Sequence, residues 1–270
     1  MKQIGGASSK GGSGHQEALM TRLALAFATA TLVSQTAACV IETRDHGHGG
    51  GGGTADVAAI SARWALRNMS DGQATPCPAG FDTVELFTQP VDDSGAPLGD
   101  PNVDLFDCAA QAGLSTDLVP DVYQAWIEVR SHDLQALYAQ SLSSVLDVRR
   151  ANESFSTDIL NDGGYFQLSW DLVAKSTNRP LDCSQVNGAD SILAVSTSLA
   201  DAHRVYDDRR SCADHAGVTA GLLQGTYTIT IEATAGDRSL GTATTLTNQV
   251  IAGQNRVTDL GTITIPIDGL

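Results

Sequence analysis

The chain has few charged and few aromatic residues. Only 17% of its 270 residues are charged and 5% are aromatic, whereas glycine occurs 27 times. It has no Gly-x-Ser-x-Gly elbow, no His-Glu-x-x-His motif, no P-loop and no Gly-x-Gly-x-x-Gly motif after a predicted strand. These absences remove the common sequence signatures of hydrolases, zinc proteases and nucleotide-binding enzymes. The composition is typical of β-rich exported proteins.

Basic residues are also scarce. There are 16 Lys and Arg against 31 Asp and Glu, which gives a formal charge of −15. A surface this acidic repels phosphate backbones, so we expect no nucleic-acid partner. The length suits about two domains of the common size.

A long hydrophobic run is absent as well. The longest uncharged apolar stretch near the N-terminus is residues 23–33, LALAFATATLV. Eleven residues are too few for a membrane-spanning helix but match the apolar region of a signal peptide. We therefore predict a signal peptide over residues 1–38, with Met20 as an alternative start.

Cys39 follows this stretch directly. The preceding Thr36-Ala37-Ala38 resembles the lipobox of bacterial lipoproteins, whose cysteine is lipidated, although the family prefers Leu at the position of Thr36. The resemblance implies a lipid anchor on Cys39, attachment to the outer membrane or cell surface, and the membrane as a partner. Ordinary cleavage after Ala38 is the alternative, and the protein would then be secreted.

Residues 39–55 have the composition of a tether. They contain Asp45-His46-Gly47-His48 followed by five consecutive glycines. Glycine runs cannot offset their backbone entropy by packing, which predicts a flexible spacer. A weak metal site at the two histidines is the less favoured interpretation, and we predict no cofactor.

The rest of the chain repeats itself. Four landmarks recur in the same order at offsets of 104 to 106 residues, which indicates an internal duplication. They are Trp64, Cys77, Cys108 and Tyr123, and then Trp170, Cys183, Cys212 and Tyr227.

The duplication predicts two domains and two disulfides. We place a first copy at residues 56–162 and a second copy at residues 163–270, and we expect the second to fold alone. Because each cysteine pair occupies matching positions, we predict the disulfides Cys77–Cys108 and Cys183–Cys212.

Alternating residues indicate short strands in both copies. Residues 226–233 and 123–129 place apolar side chains on one face. Residues 134–148 could form a short helix, but their match to 240–250 favours strand. Several short strands per copy, separated by turns, predict tandem antiparallel β-sandwiches in an all-β protein.

The segment Leu-x-x-Gly-x-Tyr-x-x-x-x-x-Ala at 222–233 is followed by Ala252-Gly253-Gln254 and an Ile/Thr-rich terminal strand. It resembles the prealbumin-like domains called carboxypeptidase regulatory-like or Cna-B-like. The resemblance implies seven-stranded Greek-key sandwiches that serve as accessory modules on secreted bacterial proteins. It covers about 50 residues of the second copy.

Candidate catalytic groups are few. His132, His203 and His215 have no counterparts in the other copy, and the acidic doublets at 92–93 and 207–208 lie in turn-like sequence. We interpret all of these as surface groups, with no catalytic residue and no metal ligand among them.

Trp126 differs from the other tryptophans. It alternates with the apolar face of its strand and therefore points outward, and the second copy has Thr230 at this position. An outward tryptophan marks a candidate contact surface for a surface protein or a glycan, although cover by a loop or by the neighbouring domain is at least as consistent with the sequence. The sequence thus favours a non-catalytic cell-envelope lipoprotein whose sandwiches act as spacer, adhesion or binding modules. A carbohydrate-binding surface protein is the alternative, and an enzyme of unrecognised class is the second.

Overall fold

The computed structural model describes residues 57–269, and their regular structure is almost entirely β-strand. The first copy contains β1 (Ile60–Arg67), β2 (Ala74–Thr75), β3 (Thr83–Pro90), β4 (Asn102–Asp107), β5 (Ala112–Leu114), β6 (Val122–Arg130), β7 (Leu137–Gln140), β8 (Ser144–Asp147) and β9 (Glu153–Leu160). The second copy contains β10 (Gly163–Ala174), β11 (Pro180–Leu181), β12 (Ser191–Ser198), β13 (Val205–Ser211), β14 (Ala216–Val218), β15 (Leu222–Leu223), β16 (Gly225–Ala235), β17 (Arg238–Thr242), β18 (Leu246–Ile251) and β19 (Arg256–Ile267). Short 3-10 turns occur at Cys108–Ala110, Cys183–Gln185 and Cys212–Asp214.

Each copy consists of two sheets. In the first copy, β1 pairs with β2 and β5 on one side and with β9 on the other, while the second sheet runs β4-β3-β6 and continues into β7 and β8. The second copy repeats this plan, with β10 between β11, β14 and β15 on one side and β19 on the other. Its other sheet runs β13-β12-β16 and continues into β17 and β18.

The chain order within these sheets confirms the predicted all-β sandwich class. After β4 the chain crosses to the other sheet as β5 and returns as β6 beside β3, which is a Greek-key connection. The sandwiches are not wholly antiparallel, because the first and last strands of each copy, β1 with β9 and β10 with β19, run parallel. Parallel pairing is possible here because these strands lie at opposite ends of the copy and are not joined by a tight hairpin.

Two separate clusters of buried apolar side chains lie within the described residues. One lies in the first copy around Trp64, Leu86 and Ile127, and the other lies in the second copy around Trp170 and Ile231. The period-2 alternation of the strands places these side chains between the sheets. Both clusters nevertheless belong to one compact unit.

The repeated landmarks are joined inside each copy. The disulfides Cys77–Cys108 and Cys183–Cys212 are both formed, with Cα–Cα distances of 6.2 and 5.9 Å. Each tryptophan indole donates a 3.0 Å hydrogen bond to the carbonyl of the second cysteine, from Trp64 to Cys108 and from Trp170 to Cys212. The spacing therefore reflects one device that links the first strand of each copy to its disulfide.

Each landmark tyrosine bonds to the backbone four residues upstream. The Tyr123 hydroxyl donates to the Val119 carbonyl at 2.9 Å, and the Tyr227 hydroxyl donates to the Leu223 carbonyl at 2.6 Å. A buried tyrosine of this kind fixes the chain where it enters a sandwich strand.

Residues 134–148 contain the strands β7 and β8 rather than a helix, as the repeat favoured. Both strands pair with β6. The predicted signal peptide, Cys39 and the Gly-rich tether lie outside the described residues. Within residues 57–269, no helix is long and apolar enough to cross a membrane.

Candidate functional site

Trp126 lies on the outer face of β6. Its neighbours Ala125 and Ile127 are 0% exposed, whereas Trp126 is half-buried. Its indole stacks on Phe87 of β3, with ring centroids 4.8 Å apart and 4° between the ring planes. Aromatic pairs across adjacent strands stabilise a sheet and hold both rings in place. The pair forms an aromatic stack on the outside of the sandwich, called the platform below.

A charged cluster holds the platform. The Trp126 indole N–H donates to the Glu128 carboxylate at 3.3 Å. Glu128 and Glu85 lie directly opposite each other on β6 and β3, and both are 8% exposed. Arg130 forms ion pairs with Glu85 at 2.6 Å and with Glu128 at 2.5 Å, which offsets the repulsion between the carboxylates. The indole N–H is thus used within the protein, so the ring offers its face to a ligand.

A cleft of about 560 Å³ lies beside Trp126. Its first wall contains Trp126, Gln89, Gln124 and Gln140, together with the β7–β8 connection at 141–143. Phe87 covers one face of the indole from β3, while β7 and β8 lie on the other side of β6. The face of Trp126 that Phe87 leaves uncovered therefore lies on the β7–β8 side of β6, and the β7–β8 connection lines the cleft.

The second wall of the cleft belongs to the second copy. It consists of Gln167, Val218 and Val257, which lie on β10, β14 and β19. Gln167 is exposed between the buried Phe166 and Leu168, so it points out of its own sandwich. The outer faces of two sheets, one from each copy, thus bound a single cleft.

The amides in the cleft fall into two classes. Gln124 donates to the Ser143 hydroxyl at 2.8 Å, and Gln89 donates to the Gly99 carbonyl at 2.7 Å. Gln140 and Gln167 are exposed, and neither side chain is hydrogen-bonded to another described residue. One amide on each wall therefore remains available to a ligand.

Asn255 joins the two walls. Its side-chain oxygen accepts from the Leu160 N–H at 2.7 Å, and its side-chain nitrogen donates to the Gln140 carbonyl at 2.8 Å. Its own N–H donates to the Gly163 carbonyl at 2.9 Å. The residue is 2% exposed, and its φ of 57° is a left-handed conformation that asparagine tolerates. Asn255 therefore fixes the position of a first-copy cleft residue relative to the second copy.

The short connection between β9 and β10 is hydrogen-bonded to the first copy. The Asp162 carboxylate accepts from the backbone N–H groups of Met69 and of Ser70, the latter at 3.2 Å. Burial raises the pKa of Asp162, but the hydrogen bonds from Ser70 and Met69 outweigh it, so the pKa lies below its usual value. At Gly164 a side chain would meet the carbonyl oxygens of Arg256 and Ala252, which explains glycine at this close approach.

The histidines and acidic doublets noted in the sequence do not line this cleft. His132 is exposed and lies 3.4 Å from the Asp82 carboxylate. Asp92 of the first acidic doublet accepts from Ser94 and Ala96 within its own turn. No three His, Cys, Asp or Glu side chains of the described residues are placed so that they could hold a metal ion.

A second depression, of about 530 Å³, brings acidic and histidine side chains together in the second copy. Asp171, Asp182 and His215 line it, and all three are exposed. A nucleophile or a general base is normally held by a hydrogen bond to its partner. No hydrogen bond or ion pair joins these three side chains in the described part of the chain.

Sequence reasoning identified Trp126 but missed Gln140, Gln167 and Asn255. The outward position of Gln167 could have been read from the alternation of its strand. Nothing in the local sequence distinguishes Asn255 from a turn asparagine, because its partners lie 95 and 115 residues away.

No protein-family model matches the chain. No curated protein matches it. Solved structures do show similarity. A leucine-rich repeat protein from Bacteroides thetaiotaomicron matches with a TM-score of 0.35 and 8% identity, over 79% of this chain and 26% of that one. This chain therefore spans about a quarter of that protein's length.

Two further structures match over more of their length. A candidate polysaccharide-binding protein from Bacteroides thetaiotaomicron matches with a TM-score of 0.28 and 12% identity, over 68% of this chain and 78% of that one. A minor pilin from Streptococcus agalactiae matches with a TM-score of 0.27 and 10% identity, over 79% and 97%. All three TM-scores lie below 0.5, which is too low to carry a function to this chain.

Proposed function

We propose that the protein is a non-catalytic cell-envelope lipoprotein, and that its two sandwich domains, 56–162 and 163–270, present a binding cleft. The observation that carries this proposal is the Trp126–Phe87 platform beside that cleft. An aromatic platform on an outer sheet face is costly to leave in water and is typical of contact surfaces. The bound partner is a surface protein or a glycan.

The cysteines support the proposed location. Disulfides persist in oxidising compartments outside the cytosol, and both copies contain one. Cys39 is the remaining cysteine after these two disulfides, and acylation would remove its thiol. Residues 39–55 would then act as a flexible tether between the membrane and the sandwich domains. Without acylation the protein would be secreted.

Replacement of the anchor tests this location. We expect Cys39→Ser to move the protein from the membrane fraction to the soluble fraction, because acyl chains contribute about 0.8 kcal/mol per buried methylene. The measurement is fractionation of the producing cells followed by immunoblotting, with the wild-type chain as the control. Unchanged membrane association of Cys39→Ser would contradict the lipoprotein assignment.

Retention on envelope material tests the binding role. We expect Trp126→Ala to reduce sedimentation of the full-length Cys39→Ser chain with envelope fragments by about tenfold or more, as loss of a central aromatic anchor does. Thr230→Ala alters the matching position of the second copy and should leave sedimentation unchanged. Equal sedimentation of both variants would contradict a binding role for this cleft.

A further inference from the structure

Building on the proposed binding role, we infer that the ligand of the Trp126 cleft is an uncharged oligosaccharide segment. The inference rests on three features of the cleft: its aromatic face, its free amides and its lack of charge. Its volume of about 560 Å³ lies within the range of about 300–1,000 Å³ common for small-molecule sites.

The aromatic face suits a sugar ring. A pyranose presents a face of C–H groups that packs on a flat aromatic surface, and the uncovered face of Trp126 is such a surface. Because Phe87 stacks behind the indole and Glu128 holds its N–H, the ring cannot turn to offer a hydrogen-bond donor instead. Val218 and Val257 supply apolar contact from the opposite wall.

The free amides suit hydroxyl groups. A glutamine amide carries two donors and an acceptor, and a sugar hydroxyl both donates and accepts. Gln140 and Gln167 stand on opposite walls without a partner among the described residues, so both can bond to one bound segment. This arrangement combines an apolar platform with a few placed polar groups, which is the usual composition of a specific ligand site.

The lack of charge in the cleft disfavours charged ligands. None of the described residues that line it is charged. A polyanionic ligand would find no cation there and would be repelled by a chain of net charge −15. A cationic peptide would find no carboxylate in the lining. The carboxylates of Glu85 and Glu128, which lie outside the lining, are paired with Arg130.

The hydrogen bonds of Asn255 hold the two walls of the cleft in place before a ligand binds. Asn255 bonds to the backbone carbonyl of Gln140 and to the backbone N–H of Leu160, both of which belong to the first copy. A site whose walls are already fixed loses less entropy when the ligand binds. Asn255 is therefore a positioning residue for the cleft.

Tryptophan fluorescence tests the ligand class directly. Trp64 and Trp170 are 3% and 1% exposed, so a ligand-dependent change in emission reports on Trp126. The full-length Cys39→Ser chain is titrated with neutral hexasaccharides of β-1,4-glucose, α-1,4-glucose, β-1,4-xylose, β-1,4-mannose and N-acetylglucosamine. An oligogalacturonate of equal length is the anionic probe.

We expect at least one neutral hexasaccharide to give a saturable change and the oligogalacturonate to give none. By calorimetry, Trp126→Ala should weaken that binding by about tenfold or more, and Trp126→Phe should restore part of it. Gln140→Ala and Gln167→Ala should each weaken it by about threefold to tenfold. Thr230→Ala should leave the affinity unchanged.

Three outcomes would overturn the inference, and they bear differently on the proposed function. If no neutral probe binds but sedimentation with envelope fragments still depends on Trp126, the ligand class is wrong and the binding role stands. Saturable binding of the anionic probe alone has the same meaning. If neither sugar binding nor sedimentation depends on Trp126, both proposals fail.

Discussion

The two copies are alike inside and different outside. Inside, each has the same disulfide, the same indole bond to a cysteine carbonyl and the same tyrosine bond to the backbone. Even an edge carboxylate is repeated: Asp104 accepts from the Thr116 N–H at 3.1 Å, and Asp208 accepts from the Ala220 N–H at 2.7 Å. These particular contacts are therefore common to both copies.

The outer faces have diverged. Across β4, β3 and β6 the first copy has a row of Val103, Phe87 and Trp126. The matching row across β13, β12 and β16 of the second copy is Asp207, Val195 and Thr230. Residues on an outer face are not constrained by core packing, so they are free to change with function. The difference assigns the aromatic half of the cleft to the first copy.

The second copy contributes in another way. It supplies the opposite wall through Gln167 and Val257, and it supplies Asn255, which connects that wall to Gln140. Duplication thus did more than lengthen the molecule, because the cleft requires one copy of each kind. Three predictions test this comparison between a shared interior and divergent exteriors.

The largest expected effect concerns the shared disulfides. Cys77→Ser/Cys108→Ser and Cys183→Ser/Cys212→Ser open loops of 31 and 29 residues. Each double variant should lower the free energy of unfolding by about 3–4 kcal/mol, because the unfolded chain gains conformational entropy when the disulfide is absent. The two losses should be nearly equal because the two loops are nearly equal in length. Urea denaturation measures this, with Cys39→Ser as the control without effect on the sandwiches. A disulfide between the copies, found by non-reducing peptide mapping, would contradict the pairing.

The disulfides, the sandwich class and the outward position of Trp126 could be predicted because they follow from residue spacing and strand alternation. Trp64 and Trp170 could be matched by counting, and Trp126 could be oriented from its neighbours. The cleft could not be predicted, since it depends on which outer faces meet. That choice is made by hydrogen bonds between residues such as Asn255 and Gln140, which no local pattern connects.

The Glu85–Glu128–Arg130 cluster escaped prediction for a related reason. Two glutamates on an outer face read as solvated charges, and only the register of β3 and β6 shows that they lie opposite each other. Both glutamates are 8% exposed, and both pair with Arg130. Local sequence thus specified the sandwich, and long-range pairing specified the site.

The second prediction concerns the contact between the two copies rather than their interiors. Asn255→Gly keeps the left-handed backbone but removes the amide, which leaves the Leu160 N–H and the Gln140 carbonyl without this partner. We expect the free energy of unfolding to fall by about 1–3 kcal/mol. Gln254→Gly is the matched control, because Gln254 has a φ of 62° and an exposed side chain. Equal stability of the two variants would mean that the Asn255 amide does not hold the copies together.

The third and smallest effect compares the two landmark tyrosines. Tyr123→Phe and Tyr227→Phe each remove one buried hydroxyl bond, so each should lower the free energy of unfolding at pH 7 by about 1 kcal/mol. Tyr165→Phe is the control, because the Tyr165 hydroxyl is not hydrogen-bonded to another described residue. Thermal and urea unfolding of the three variants measure the difference.

Alkaline pH sharpens the same comparison. Burial raises the pKa of Tyr227 to about 12, and burial also raises the pKa of Tyr123. A raised pKa in the folded state means that the neutral phenol is favoured there, so its stabilisation is complete below pH 10. For Tyr227 that stabilisation is lost as the pH rises from about 10 to about 12, and Tyr227→Phe should lose less stability over this range than the wild type does. If Tyr227→Phe and the wild type lost stability in parallel over this range, the raised pKa of Tyr227 would not be the cause. If only one of Tyr123→Phe and Tyr227→Phe were less stable than Tyr165→Phe at pH 7, the two tyrosine bonds would not be equivalent.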